Sequence, residues 1–282
     1  MDPRPIGMFD SGLGGLTAAK TLEEILPGEN LIYFGDSRNA PYGTRPRREL
    51  AALAEANAGF LSGFDCKAIL VACGTVSSNA MDVLTARWPD LPFFGVIDAA
   101  CDSACARSRS GRIAVAATEA TIRSGAFTRA LLQRRPEAEV AASPCQSLVA
   151  LAEAGHFAGD DPAAREAVER EFAPLRAEKP DTLLLACTHF PLFREAIARY
   201  MGPEVALLSV GEETARALKR TLADTGALAD RGAGARRWFT SGPTAEFERL
   251  GALFLGHPIC AEQHITRPEP TGQEPERGKD DR

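Results

Sequence analysis

Two cysteines are set apart by what surrounds them. Ile69-Leu70-Val71-Ala72-Cys73-Gly74-Thr75 is an apolar run ending in Ala-Cys and followed by small and hydroxyl residues. Leu183-Leu184-Leu185-Ala186-Cys187-Thr188-His189 repeats the layout 114 residues later (187 − 73 = 114). Each run reads as a buried strand, and ligands of open parallel sheets bind beyond the carboxyl ends of the strands. A thiol there, with a helix starting after it, meets unpaired N–H groups and the helix dipole, which favour thiolate. Either cysteine alone reads as readily as a small buried hydrophobe. Together, at equivalent strand ends, they suit a substrate whose two faces are treated alike. A cysteine hydrolase needs one thiol, one base and an oxyanion hole. Racemisation needs two opposed groups: one thiolate takes the α-proton, the other thiol returns a proton to the opposite face, and the roles exchange in reverse. The ordinary thiol pKa of about 8.5 lies within tuning distance of neutral pH.

The neighbours extend this reading. Phe9-Asp10-Ser11-Gly12-Leu13-Gly14-Gly15 puts a carboxyl group at the end of the first strand, then a glycine-rich turn into a helix. Such a turn offers backbone N–H groups to an anion, for example a substrate carboxylate. It lacks the Gly-Lys-Ser/Thr ending of a P-loop and the Gly-x-Gly-x-x-Gly spacing of a dinucleotide site. His189, two residues beyond Cys187, can poise that thiol or shuttle its proton; Asp10 could serve Cys73 likewise.

The elements that must carry these residues alternate short apolar runs with longer amphipathic stretches, as in an α/β fold with mostly parallel sheets. Strands are expected over 5–9, 30–34, 68–71, 93–96, 112–116, 139–142, 182–185, 206–208 and 237–239. Helices are expected over 15–25, 47–63, 78–87, 120–134, 162–177, 193–200 and 211–225. A second echo, between 6–10 and 113–118, pairs with the Ala-Cys repeat and implies two similar α/β units facing each other. The last stretch, 267–282, is charged, rich in Pro and Gly and without apolar periodicity, and reads as a disordered tail.

Composition narrows the function further. The 282 residues are 45% hydrophobic and 25% charged, enough for a real core. A net charge of −6 argues against a nucleic-acid surface. The basic cluster Arg45-Pro46-Arg47-Arg48 reads as a solvated loop and helix start. No stretch approaches the ~20 apolar residues of a membrane helix, and the N-terminus runs directly into a strand, so a cytoplasmic protein is expected. The seven cysteines show no disulfide framework or zinc spacing. Cys101 and Cys105, on one face of a helix, read as core.

The sequence resembles the aspartate/glutamate racemase superfamily, specifically its glutamate-acting branch, over residues 5–257. The resemblance rests on Ile6–Leu16, on Tyr33-Phe34-Gly35-Asp36-Ser37 with Ala40-Pro41-Tyr42-Gly43-Thr44, on Thr118–Gly125, on Leu148–Gly155 and on Cys187-Thr188-His189-Phe190-Pro191-Leu192. It implies a cofactor-independent isomerase supplying D-glutamate for peptidoglycan and cell shape, with no pyridoxal phosphate or metal. Cys73 would serve one face with Asp10, and Cys187 the other with His189 and Glu153. Ser11, Pro41, Tyr42, Gly43, Gly74, Thr75, Thr118, Thr121 and Thr188, with Asp10 and His189, fall where the family contacts glutamate. The implied fold is two pseudo-symmetric three-layer α/β domains, 1–97 plus 209–266 and 98–208, with the active site in the cleft between them. Homodimers are common in the family. One departure bears on substrate: Gly74 stands where the family usually has Asn, whose side chain helps to hold glutamate. Two other readings are a sibling racemase acting on aspartate or another small acid, and a regulatory protein without catalysis.

Overall fold

The computed structural model describes residues 1–229 and 232–268; from residue 269 on, the expected disordered tail lies outside the described residues. In the first part of the chain, β1 (Ile6–Asp10), α1 (Leu16–Ile25), β2 (Leu31–Gly35), α2 (Arg47–Ser62), β3 (Ala68–Val71), α3 (Gly74–Asn79), α4 (Met81–Arg87) and β4 (Phe93–Gly95) follow in order. The middle holds α5 (Val96–Arg107), β5 (Arg112–Ala117), α6 (Glu119–Ser124), α7 (Ala126–Arg134), β6 (Glu139–Pro144), α8 (Ser147–Glu153), α9 (Pro162–Ala177), β7 (Thr182–Leu185), α10 (Arg194–Met201) and β8 (Ala206–Ser209). The last part adds α11 (Val210–Asp224), β9 (Arg236–Thr240), α12 (Thr244–Leu255) and β10 (Ala261–Gln263).

The strands form two parallel sheets, ordered β10-β9-β2-β1-β3-β4 and β6-β5-β7-β8. The order β2-β1-β3-β4 in the first recurs as β6-β5-β7-β8 in the second. The repeat extends to single hydrogen bonds: Ala72 N–H donates to Phe9 O at 3.0 Å, and Ala186 N–H to Ala116 O at 2.8 Å. The inner strands β1, β2, β3, β5 and β7 are covered on both faces, which is why they are largely apolar rather than alternating. Met8, Tyr33 and Leu70 face one core while Phe9, Phe34 and Val71 face another. In the second sheet Ala116 and Leu185 face one core and Val115 and Leu184 the other. No helix among the described residues is long and apolar enough to cross a membrane.

The nine expected strands are all present within two residues at each end, and short β10 was not expected. Two expected helices are broken. The one over 78–87 starts earlier and divides at Ala80 into α3 and α4. In α3 the Ser78 hydroxyl donates to Gly74 O at 2.8 Å and the Asn79 amide to Thr75 O at 2.9 Å, side-chain bonds that compete with the helical ladder. The helix over 120–134 divides at Gly125, whose φ of 63° is left-handed.

At the amino ends of the first sheet lies a buried ion pair that the sequence did not announce. Lys67 Nζ is 2.5 Å from Glu29 Oε2 and donates to Asp2 O and Ala227 O, both at 2.8 Å, while Glu29 Oε1 accepts from Ala229 N–H at 2.8 Å. One lysine thereby ties the N-terminus and the segment after α11 to the sheet. Lys67→Met strands a buried carboxylate and is expected to destabilise the fold by about 3–5 kcal/mol in denaturant unfolding, with turnover per folded molecule unchanged.

Candidate active site

The carboxyl ends of β1, β3, β5 and β7 converge, each pair flanking the point where its sheet's strand order reverses. Ser11, Pro41, Tyr42, Gly43, Cys73, Gly74, Thr75, Thr118, Gln146, Val149, Glu153, Ala186, Cys187, Thr188 and His189 line one cleft there. Both thiols belong to it and both are buried. The free space is about 20 Å³, room for about one water, so an amino acid enters only as the walls move. A larger cavity of about 350 Å³ lies along β6 and holds none of these residues.

Hydrogen bonds close the cleft from both sides. Thr75 and Thr118 share one at 2.9 Å between their hydroxyls, and Thr118 and Thr121 another at 3.0 Å. Ala120 N–H donates to Gly43 O at 2.7 Å, and the Thr17 hydroxyl to Thr188 O at 2.9 Å. Gly14 is required by this approach, since a Cβ there would lie 2.7 Å from the His189 ring. At Gly74 a Cβ would overlap the carbonyl oxygen of Ala186.

Asp10 and Thr121 do not line the cleft; each stands one layer behind it. Asp10 is fully buried, and its Oδ2 accepts from Gly15 N–H at 2.9 Å and Gly12 N–H at 3.4 Å. These two N–H groups of the glycine-rich turn are therefore taken by the chain's own carboxyl group, which also accepts from the Thr188 hydroxyl at 3.4 Å. Burial raises the pKa of Asp10, against the lowering effect of His189 and the backbone donors. The Tyr42 hydroxyl is likewise engaged, donating to Asp36 Oδ2 at 2.5 Å, and so is not free for a substrate.

The thiols have different surroundings. Cys73 caps the start of α3, yet burial, helped by the charge of Asp10, pushes its pKa up to about 12. The helix-start stabilisation expected of it is present, through Val76 N–H, and is outweighed. Cys187 meets no such helix start: a single 3-10 turn, Phe190–Phe193, precedes α10. Its Sγ lies 3.8 Å from His189 Nδ1. His189 Nε2 is 3.4 Å from Glu153 Oε1, a charge contact without hydrogen-bond alignment. Burial lowers the pKa of the imidazolium, but Cys187 and Glu153 together outweigh it and raise it to about 10.

Gln146, Val149 and Ala186 were not foreseen in the cleft. Gln146 lies at the start of α8 and accepts from Glu119 N–H at 3.4 Å; no motif marks it. Among the described residues no cluster of three or more His, Cys, Asp or Glu side chains could hold a metal ion. Cys101 and Cys105 sit on α5, the first buried and the second half-buried.

With this geometry, comparison with known proteins places the chain in a class. Residues 16–234 match the Asp/Glu/Hydantoin racemase family, and the chain belongs to it. The relatives it resembles are glutamate racemases: one from Symbiobacterium thermophilum is 40% identical over 93% of this chain and 94% of its own. One from Corynebacterium diphtheriae is 40% identical over 95% and 98%. Among solved structures, a glutamate racemase isoform from Bacillus anthracis superposes with a TM-score of 0.90 at 32% identity, covering 94% of this chain and 98% of that one. That of Francisella tularensis, in complex with D-glutamate, gives 0.86 at 30% identity over 95% and 99%.

The charge on His189 is directly measurable. Its ring signals should titrate near pH 10 rather than 6.5 in NMR, and Cys187→Ala should lower that value. Because the folded-state pKa is raised, the associated stabilisation is complete below about pH 6.5 and is lost as pH rises through about 10.

Proposed function

We propose that the protein interconverts L- and D-glutamate without a cofactor, using Cys73 and Cys187 as opposed acid/base groups. The observation that carries this reading is the placement of two cysteines at equivalent strand ends of two repeated sheets, facing one cleft, each with its own ionisable neighbour. In one direction Cys187, beside the His189 imidazolium, takes the α-proton. The Cα–H electron pair stays on Cα, conjugated with the substrate carboxylate. Cys73, kept as a thiol by burial, gives its proton to the opposite face. In reverse, Cys73 must lose its proton, and Asp10 behind it is the group available to accept it. Glu153 stabilises the charged His189.

Ser11, Gly43, Thr75, Thr118 and Thr188 supply hydroxyl and backbone groups around the substrate, with Thr121 supporting Thr118. Preorganised donors are what a carbanion-like transition state needs most. The chain divides into residues 1–97 with 209–266 and residues 98–208, the substrate lying between the two units. The physiological setting we assign is the cytoplasm, as a homodimer supplying D-glutamate for peptidoglycan.

Cys73→Ala and Cys187→Ala should each abolish loss of optical rotation from L- and D-glutamate while the circular dichroism stays native. Normal turnover by either variant would overturn the two-thiol mechanism. Gly74 allows a second test. A side chain at 74 is incompatible with the shut cleft around which the site is built. Gly74→Asn should therefore raise KM for glutamate by about tenfold or more, because the walls can no longer meet around the substrate. An equal or lower KM would mean that the close approach at Gly74 is not needed for productive binding.

A further inference from the structure

Asp36 has no part in the chemistry above, yet it is fully buried. It follows β2, and its carboxyl group accepts four hydrogen bonds: from the Tyr42 hydroxyl at 2.5 Å, the Ser241 hydroxyl at 2.5 Å, and the Asn39 amide at 3.0 and 3.1 Å. The donors come from three segments: the one-turn 3-10 helix Ser37–Asn39, the cleft loop and the turn after β9. The Tyr42 hydroxyl in turn accepts from the Asn57 amide of α2 at 3.1 Å. Asn57 accepts from the Thr266 hydroxyl at 3.1 Å.

The loop held in this way is a wall of the cleft. Residues 41–43 lie in no helix or strand, so their backbone direction depends on tethers. On the far side Gly43 O accepts from Ala120 N–H at 2.7 Å. A Cβ at Gly43 would come within 2.9 Å of Thr118 and 2.8 Å of Gln146 Oε1, so the fit tolerates little displacement. On the near side the Tyr42 hydroxyl on Asp36 is the anchor. Only an ionised carboxyl group accepts at every site, whereas an Asn here would turn an NH2 group toward hydroxyl or amide donors.

We propose that Asp36 is a positioning residue for racemisation: through the Tyr42 hydroxyl it fixes Pro41–Gly43 as the wall that receives the polar groups of the amino-acid substrate. The inference rests on the two-thiol reading of the cleft. It is tested with Asp36→Asn, Tyr42→Phe and the double variant in the full chain, following glutamate racemisation and glutamate binding by calorimetry. Each single variant should raise KM and Kd for glutamate by about tenfold or more, with kcat changed by less than about twofold. The double variant should do no more than the stronger single one, because both cut the same tether. Unchanged KM and Kd in a folded variant, even one with a lower Tm, would reduce Asp36 to a structural residue and overturn the proposal. Multiplying effects would overturn the shared tether. Should Asp36→Asn fail to fold, Tyr42→Phe and Ser241→Ala carry the same comparison. A wild-type protein that binds glutamate without turning it over would sink the two-thiol chemistry, while the Kd comparison would still decide the role of Asp36.

Discussion

At Gly74 the first turn of α3 passes so close to the end of β7 that a methyl group would overlap the Ala186 carbonyl. The site is built around that approach. It brings the residue after Cys73 against the residue before Cys187, and it lets the Thr75, Thr118 and Thr121 hydroxyls join in one chain. Each sheet supplies one side of the contact, and each presents the strand ends beside the reversal of its strand order. With about 20 Å³ left between the walls, the thiols are screened from bulk water. In such a place fixed dipoles and charges act with little dielectric screening.

The two thiols have unlike neighbours. On the Cys73 side, burial and the charge of Asp10 reinforce one another, and the proton is retained up to about pH 12. Beside Cys187 stands a histidine that this thiol and Glu153 hold charged up to about pH 10. A repeated backbone thus carries two cysteines in unlike surroundings. Racemisation has the same character, since one group must hold a proton while the other is free to take one. The repeat supplies opposed placement; the neighbours Asp10, His189 and Glu153 supply the difference in surroundings.

Much of this was legible in the sequence because the inner strands of both sheets are covered on both faces. Such strands read as unbroken apolar runs, and the Ala-Cys endings of β3 and β7 mark where the runs stop. β10, three residues with an exposed Glu-Gln, carries no such signal. The helix breaks at Ala80 and Gly125 arise from local side-chain bonding and one left-handed residue, which apolar periodicity does not register. The glycine-rich turn reads as an anion site for substrate, but the Asp10 carboxyl group takes the Gly12 and Gly15 donors, because a carboxyl group within five residues competes at far higher effective concentration than any ligand. Gln146 and the Asp36 network depend on contacts between distant segments and leave no local pattern.

In the proposed mechanism two thiols on opposite faces exchange the α-proton of glutamate without a cofactor. The most direct measurement is the purified protein with L-glutamate in D2O, following optical rotation and the α-proton NMR signal together. The rotation should decay to zero with deuterium entering at Cα. Loss of rotation with full retention of the α-proton, or no change in either signal, would contradict the mechanism.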